Sequence, residues 1–200
     1  MGSLTLANQL TLLRIILIPA FVLLVVYGNL GGALVVFLVA GITDALDGLI
    51  ARLAGQGTSL GAWLDPMADK LLLLSTFVVL TVPTIPMTNH LPLWLTVSVI
   101  SRDIVIVAVV AIVNLAVGPR TFRPSLLGKS ATAMFIVTSV VILYFNYREQ
   151  TSVLIDVGVW SSLALTLVSA ADYFLRLRRL INEPGKSVRA TNNSRPTTND

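Results

Sequence analysis

The sequence predicts an all-α integral membrane protein, a bundle of six transmembrane helices around a cavity that faces the cytoplasm. Three observations support this fold class. The 200-residue chain is 55% hydrophobic and only 12% charged, about half the charged fraction of a soluble domain. Six mostly apolar stretches each approach the roughly 20 residues that span a bilayer. Finally, lysine and arginine fall mainly in alternate connections, as they do in multi-pass proteins.

The six apolar stretches follow one another through the chain with short polar, Gly-rich or Pro-rich connections. They predict helices at about Gln9–Tyr27, Ala33–Leu53, Leu60–Val82, Leu93–Val117, Leu126–Phe145 and Val153–Leu175. Gly28 to Gly32 is predicted as a turn. The transmembrane domain is expected over residues 1–181, and the polar tail 182–200 has no apolar periodicity and is expected to be disordered.

The distribution of cations predicts the orientation in the membrane. One set of connections and the C-terminal segment contain Arg52, Arg120, Arg123, Lys129, Arg176, Arg178, Arg179, Lys186 and Arg189. The opposite set contains only Arg148. Both termini are therefore expected in the cytoplasm of a multi-pass protein of the cell (inner) membrane. The basic C-terminal segment is interpreted as an orientation and lipid-contact feature rather than a nucleic-acid site.

Four aspartates occur where the second and third helices approach the cytoplasm. Each would cost about 2.5 to 3.5 kcal/mol at membrane depth, so a neutralising partner is needed. Asp44 and Asp47 are three residues apart, and Asp65 and Asp69 four apart, so each pair shares one face of its helix. A tight turn would bring the pairs together as an all-oxygen site for two divalent ions, Mg²⁺ or Mn²⁺. A proton relay or an ion-transport site is the alternative interpretation.

Small residues and one arginine accompany the aspartates. Gly48 and Ala51 continue the Asp44 stripe, and Gly61 lies early in the third helix on the Asp65 side, so a phosphorylated ligand could approach the backbone. Arg52 offers a planar fork suited to phosphate. The alternatives are helix packing by the small residues and a positive-inside anchor for Arg52.

The full pattern, D-x2-D-G-x2-A-R-x8-G-x3-D-x3-D, resembles the signature of CDP-alcohol phosphatidyltransferases at every fixed position. The resemblance implies that the Asp44, Gly48, Ala51, Arg52 and Gly61 region binds a CDP-linked donor, CDP-diacylglycerol. An acceptor hydroxyl would attack the β phosphorus and CMP would leave. The resemblance also gives Asp69 the general-base role, beside metal ligands Asp44, Asp47 and Asp65, and implies a homodimer.

Three further cations lie in or beside helices and are candidates for binding the acceptor. Arg14 falls within the first helix, Arg102 within the fourth, and Lys129 opens the fifth. A buried arginine needs an anionic partner, and an acceptor phosphate could supply one. The alternative for Arg102 is a structural pair with a nearby carboxylate such as Asp103.

The acceptor is less well specified than the donor. ISRDIVIVAVVAIV, TSLGAWLDPMADK and RPSLLGKSATA are similar to segments of eukaryotic-type cardiolipin synthases, which implies phosphatidylglycerol as acceptor. Gly128, before Lys129, is more similar to phosphatidylglycerophosphate synthases, which use glycerol 3-phosphate. From a different class, a cation transporter that uses the aspartates as its ion site is the remote alternative.

Overall fold

The structure, a computed structural model, describes residues 6–54, 59–117 and 126–182, with side chains over 12–44, 70–109 and 126–175. All regular secondary structure in these ranges is helical, in six helices: α1 Leu6–Val26, α2 Leu30–Ala54, α3 Ser59–Thr81, α4 Leu93–Val117, α5 Leu126–Tyr147 and α6 Val153–Asn182. The predicted number and order of helices are confirmed. The predicted disordered tail lies almost wholly outside the described residues, apart from Asn182.

The connection between α1 and α2 is shorter than predicted, because two adjacent residues end one helix and begin the next. Gly28 has a φ of 75°, and the backbone N–H groups of Gly28 and Asn29 donate to the carbonyls of Val25 and Leu24, which is a Schellman ending. The side-chain oxygen of Asn29 then accepts from the Gly32 N–H at 3.0 Å, as an N-cap does. The prediction of a turn as far as Gly32 is therefore wrong.

The bundle has a continuous apolar core. Helix α1 packs on α2 and α3, α5 packs on α6 and α2, and α4 contacts mainly α6. Phe21 of α1 meets Phe37 of α2 with ring centroids 5.8 Å apart, and Phe77 of α3 meets Phe135 of α5 edge to face at 5.5 Å. One aromatic contact thus joins α1 to α2, and the other joins α3 to α5.

Small residues allow two of the helix pairs to approach closely. A Cβ atom on Gly31 would lie 2.9 Å from the Tyr147 ring of α5, and one on Gly158 of α6 would lie 3.0 Å from the Thr138 hydroxyl of α5. The buried hydroxyls of Thr138 and Ser162 are hydrogen-bonded to each other at 2.9 Å. Close approach by small residues with hydroxyl hydrogen bonds is typical of helix pairs in membranes.

Two helical segments, Leu126–Tyr147 and Val153–Leu175, are long and apolar enough to cross a membrane among the described residues. Leu12–Val26, Leu30–Asp44 and Lys70–Thr81 are shorter apolar segments. Large apolar side chains are widely exposed, including Ile16 on α1, Ile104 on α4 and Leu167 on α6. Apolar surface of this extent is typical of contact with lipid or another protein.

An amide cluster, Asn89, Asn146 and Gln150, ties the α3–α4 connection to the end of α5. The Asn146 side chain is buried; its oxygen accepts from the Asn89 backbone N–H at 2.7 Å and its nitrogen donates to the Asn89 carbonyl at 2.9 Å. The Asn89 side chain also donates to the Gln150 carbonyl at 2.7 Å. This neutral network fixes the end of the bundle opposite the Asp44 end of α2.

Candidate functional site

The predicted donor and metal residues lie on the two helices where the sequence analysis expected them. Helix α2 carries Asp44, Asp47, Gly48, Ala51 and Arg52, and helix α3 carries Gly61, Asp65 and Asp69. Of these eight residues, only Asp44 has a described side chain. The convergence of the two carboxylate pairs therefore stays a prediction.

Asp44 forms an ion pair with Arg14, a predicted acceptor residue. The Arg14 Nη2 atom lies 2.8 Å from Asp44 Oδ1, with the arginine side chain fully buried and the carboxylate 44% exposed. A buried guanidinium requires a compensating charge, and Asp44 supplies it across the α1–α2 interface. The Asp44 carboxylate is thus paired on one side and still 44% exposed.

A second charged group, the ionic triad of Lys70, Asp103 and Arg102, joins α3 to α4. The Lys70 ammonium pairs with one oxygen of Asp103. Arg102 Nη1 lies 2.7 Å from the other oxygen of Asp103, and Arg102 Nη2 donates to the Ser169 hydroxyl of α6. The pair that was weighed as the alternative for Arg102 is thus present. Lys70 follows Asp69 directly on α3, so its pair with Asp103 ties the segment that carries the predicted base to α4.

Lys129, the third predicted acceptor residue, is in a different environment. It lies in the first turn of α5 with an exposed side chain. Among the described contacts, none joins Lys129 to the triad or to the Arg14–Asp44 pair. The structure therefore brings Arg14 to Asp44, and leaves Arg102 and Lys129 in separate surroundings.

Two cavities adjoin the ionic triad. The first, of about 410 Å³, lies among α3, α4 and α5 and contains Lys70 and Asp103 in its wall, with Thr132 and Phe135 opposite them. The second, which we name the α4–α6 groove, has a volume of about 320 Å³. Its wall consists of Ser98, Ser101, Arg102, Val105, Ile106, Val109, Thr166, Leu167, Ala170, Tyr173 and Phe174. The triad thus lies between two open spaces.

Three residues of the triad environment, Lys70, Asp103 and Ser169, were not among the predicted site residues. Lys70 directly follows Asp69, and its partner Asp103 is 33 positions away in the sequence. Ser169 is one of several hydroxyl residues in α6 and has no local pattern that distinguishes it. Only the adjacency of Arg102 and Asp103 was visible in the sequence.

The described side chains alone do not form a metal site. Over the residues whose side chains are placed, no group of three or more His, Asp or Glu could hold an ion. Asp44 is the one member of the predicted four-aspartate set within that range. Its carboxylate is chemically suited to Mg²⁺ or Mn²⁺, which prefer oxygen ligands, so the residue that is described fits the predicted ion.

Comparison with known proteins identifies the class. Residues 4–168 match the family CDP-alcohol phosphatidyltransferase. A probable phosphatidylglycerophosphate synthase of Mycobacterium tuberculosis is 33% identical over 182 residues, covering 87% of this chain and 82% of the relative. The cardiolipin synthase (CMP-forming) of Homo sapiens is 33% identical over 186 residues, covering 84% of this chain and 59% of the relative. The CDP-diacylglycerol–glycerol-3-phosphate 3-phosphatidyltransferase of Bacillus subtilis is 30% identical and covers 84% and 93%.

The match covers well over half of the chain and includes all four aspartates, the two small-residue positions of α2 and Arg52. The relatives synthesise membrane phospholipids by their names, and two helical segments here are suited to crossing a membrane. The chain therefore belongs to the CDP-alcohol phosphatidyltransferase family and is a membrane-associated transferase of phospholipid synthesis.

Proposed function

We propose that this protein transfers the phosphatidyl group of CDP-diacylglycerol to a hydroxyl of phosphatidylglycerol, giving cardiolipin and CMP. The acceptor oxygen forms a bond to the β phosphorus, and the bond from that phosphorus to the bridging oxygen of CMP breaks. The hydroxyl proton passes to the Asp69 carboxylate. The family match over residues 4–168 supports the reaction type. The net charge of the ionic triad supports phosphatidylglycerol as the acceptor.

The donor site of the proposal is the segment from Asp44 to Asp69. Asp44, Asp47, Asp65 and Asp69 would hold two Mg²⁺ or Mn²⁺ ions, which supply charge neutralisation at the pyrophosphate and at the leaving phosphate. Gly48, Ala51 and Gly61 would leave room for the CDP group, and Arg52 would bind a phosphate. The exposed carboxylate of Asp44 supports this assignment.

The buried Arg14, a candidate for binding the acceptor, would instead orient Asp44. Its Nη2 atom lies 2.8 Å from Asp44 Oδ1, and this contact would hold the 44%-exposed carboxylate in one orientation for a cation. A hydrogen-bonded support of this kind commonly orients the ligands of a metal site. Arg14 thus contributes to the donor site through Asp44.

The charge of the ionic triad favours a singly charged acceptor. Lys70 and Arg102 share the carboxylate of Asp103, so the group carries one net positive charge. A phosphodiester such as phosphatidylglycerol carries one negative charge, whereas a phosphate monoester carries about two at neutral pH. Because Arg102 is only 8% exposed, its excess charge would be best matched by one anionic charge.

Glycerol 3-phosphate is the second candidate acceptor, and one observation favours it. Lys129 is exposed in the first turn of α5, where it could add a second cation for a phosphate monoester. Relatives from Mycobacterium tuberculosis and Bacillus subtilis have names that specify this type of reaction. The product therefore has to be identified directly.

The proposal includes the arrangement in the membrane. Six spans, both termini in the cytoplasm and a cavity open to the inner leaflet would place the aspartates beside the lipid headgroups. A homodimer is also proposed on the family resemblance. Cysteine labelling from each side of the membrane, at the 148–152 connection and at the C-terminal segment, tests the orientation.

The activity test uses the purified protein in mixed micelles with Mn²⁺ or Mg²⁺ and CDP-diacylglycerol. CMP release should require phosphatidylglycerol, and mass spectrometry should identify cardiolipin as the product. CMP release only with glycerol 3-phosphate would establish the second candidate instead. Cation flux in liposomes without CMP release from any acceptor would overturn the transferase proposal in favour of a transporter.

Asp69→Asn should lower turnover about 10² to 10⁴-fold, because the amide cannot accept the hydroxyl proton. Metal-dependent binding of CDP-diacylglycerol, measured by equilibrium binding, should be largely retained. Asp156→Asn is the matched control, since Asp156 is exposed in the first turn of α6, far from α2 and α3 in the sequence. Normal turnover in Asp69→Asn would contradict the general-base assignment.

A further inference from the structure

Helices α4 and α6 run side by side in the same direction. Trp94 of α4 meets Trp160 of α6 with ring centroids 5.4 Å apart, and two turns later Arg102 of α4 donates to Ser169 of α6. From the first contact to the second, the residue numbers rise along both helices, so α4 and α6 are parallel. The α4–α6 groove lies along this seam and adjoins the ionic triad.

The wall of the groove is largely apolar, and two of its hydroxyl groups already have hydrogen-bond partners. The hydroxyls of Ser98 and Thr166 donate to the carbonyls of Trp94 and Ser162 in their own helices, both at 2.7 Å. They therefore offer little to a ligand. The remainder of the wall includes Val105, Val109 and Phe174, which suit a hydrocarbon chain.

Arg102 provides the polar centre of the groove, and its hydrogen bonding is incomplete. The side chain is 8% exposed, and its Nη atoms are used by Asp103 and Ser169. The buried Nε–H has no hydrogen-bond partner among the residues that the structure describes. An unsatisfied N–H of a buried guanidinium is costly, so a ligand oxygen at this position would be strongly favoured.

We propose that the α4–α6 groove is a lateral entry site for the acceptor phospholipid, in which Arg102 binds the lipid phosphodiester and the apolar wall holds the first part of an acyl chain. The inference rests on the proposed function and adds α6 to the acceptor site. A volume of about 320 Å³ is near the lower limit of small-molecule sites, so it suits a portion of a lipid.

A second copy of the chain is a weaker candidate for this groove. The exposed part of α4 presents Ile104, Val105 and Val107, none of which has a side-chain acceptor for Arg102 Nε. A phosphodiester supplies both the acceptor oxygen and the negative charge, as well as an apolar continuation. Charge complementarity with the triad therefore favours the lipid.

The main test fills the groove without touching Arg102. Ala170→Trp places a large side chain in the groove wall, and Ala171→Trp is the matched control, because Ala171 is exposed on the same helix and does not line the groove. CMP release is measured with CDP-diacylglycerol and either phosphatidylglycerol or its deacylated, water-soluble counterpart. Ala170→Trp should raise the KM for phosphatidylglycerol about tenfold.

The other parameters separate a local effect from a folding defect. In Ala170→Trp, the KM for CDP-diacylglycerol and the rate with the deacylated acceptor should stay within about twofold of wild type, and Ala171→Trp should match wild type throughout. Equal KM values for phosphatidylglycerol in the two variants would overturn the entry site while leaving the proposed function intact. No CMP release by wild type with phosphatidylglycerol would overturn both.

Photolabelling of the unmodified protein gives a test that needs no variant. A phosphatidylglycerol with a diazirine in one acyl chain should label residues 98–109 and 166–174, and excess phosphatidylglycerol should reduce the labelling. Equal labelling of these segments by a phosphatidylcholine analogue would mean a nonspecific lipid surface and would overturn the proposal. If two copies of the chain cross-link through the groove and the phosphatidylglycerol probe does not label it, the proposal is overturned and the groove is a subunit interface.

Discussion

The amide cluster and the ionic triad are both polar groups that join separate helices around one buried side chain, Asn146 or Arg102, and they differ in charge and completeness. In the cluster, the side-chain oxygen and nitrogen of Asn146 bond to Asn89 at 2.7 and 2.9 Å. In the triad, the Nε–H of Arg102, beside a groove, has no partner within the described part of the chain. A neutral and complete network holds the fold together, whereas a charged and incomplete one beside a cavity is suited to binding a ligand.

Asp103→Asn should have the largest effect and would test the charge argument most directly. Loss of the shared carboxylate leaves Lys70 and Arg102 without their counter-charge, which should lower the free energy of unfolding by about 2 kcal/mol, less than for a fully buried pair, because Asp103 is 30% exposed. The second positive charge should lower the kcat/KM ratio of phosphatidylglycerol to glycerol 3-phosphate by about tenfold or more.

Competition between the two acceptors in one assay measures that ratio. Arg148→Gln, a charge change at the opposite connection, controls for a general effect of net charge and should leave the ratio unchanged. An unaltered acceptor ratio in Asp103→Asn would show that the triad does not select the acceptor.

Asn146→Leu should affect stability alone. Leucine has the same branched shape but leaves the Asn89 backbone N–H without its 2.7 Å partner, so the free energy of unfolding in mixed micelles should fall by about 1 to 3 kcal/mol. The kcat and both KM values of the folded fraction should be unchanged. Gln150→Leu, at an exposed position, should stay within about 0.5 kcal/mol of wild type. A changed acceptor KM in Asn146→Leu would show that the amide cluster also affects acceptor binding, and would contradict its purely structural role.

Ser169→Ala should have the smallest effect and would separate the α6 end of the triad from the rest. The variant loses one hydrogen bond from Arg102 Nη2, which should raise the acceptor KM about three- to tenfold with little change in the KM for CDP-diacylglycerol. Ser162→Ala, which loses the Thr138 hydrogen bond two turns earlier on the same helix, should lower the unfolding temperature and leave the acceptor KM unchanged. Identical behaviour of the two variants would mean that Ser169 is only structural.

Local sequence patterns predicted the helices well, because apolar runs of about 20 residues and the breaks between them are encoded locally. Helix α4 is observed as Leu93–Val117, as predicted. The start of α2 was missed because Asn29 caps the helix before the two glycines, and a Gly-Gly pair was interpreted as a turn. Helix α6 continues to Asn182 because its Arg- and Leu-rich end favours helix, although apolar periodicity ends near Leu175.

The candidate site was only partly predictable for a different reason. The aspartate spacing lies within two neighbouring helices and could be interpreted from i,i+3 and i,i+4 geometry. The pairs Arg14–Asp44 and Lys70–Asp103 join residues 30 and 33 positions apart, and the Arg102–Ser169 contact joins residues 67 positions apart. Such contacts depend on how the helices pack, which no local pattern in one sequence specifies.

The contact between Trp94 and Trp160 gives the α4–α6 seam a built-in optical probe. The chain contains three tryptophans, so replacing Trp63 leaves fluorescence from this pair alone, with ring centroids 5.4 Å apart. Separation of the two helices would alter the coupling and the polarity around both indoles. Opening of the seam during turnover could therefore be followed in real time without an attached dye.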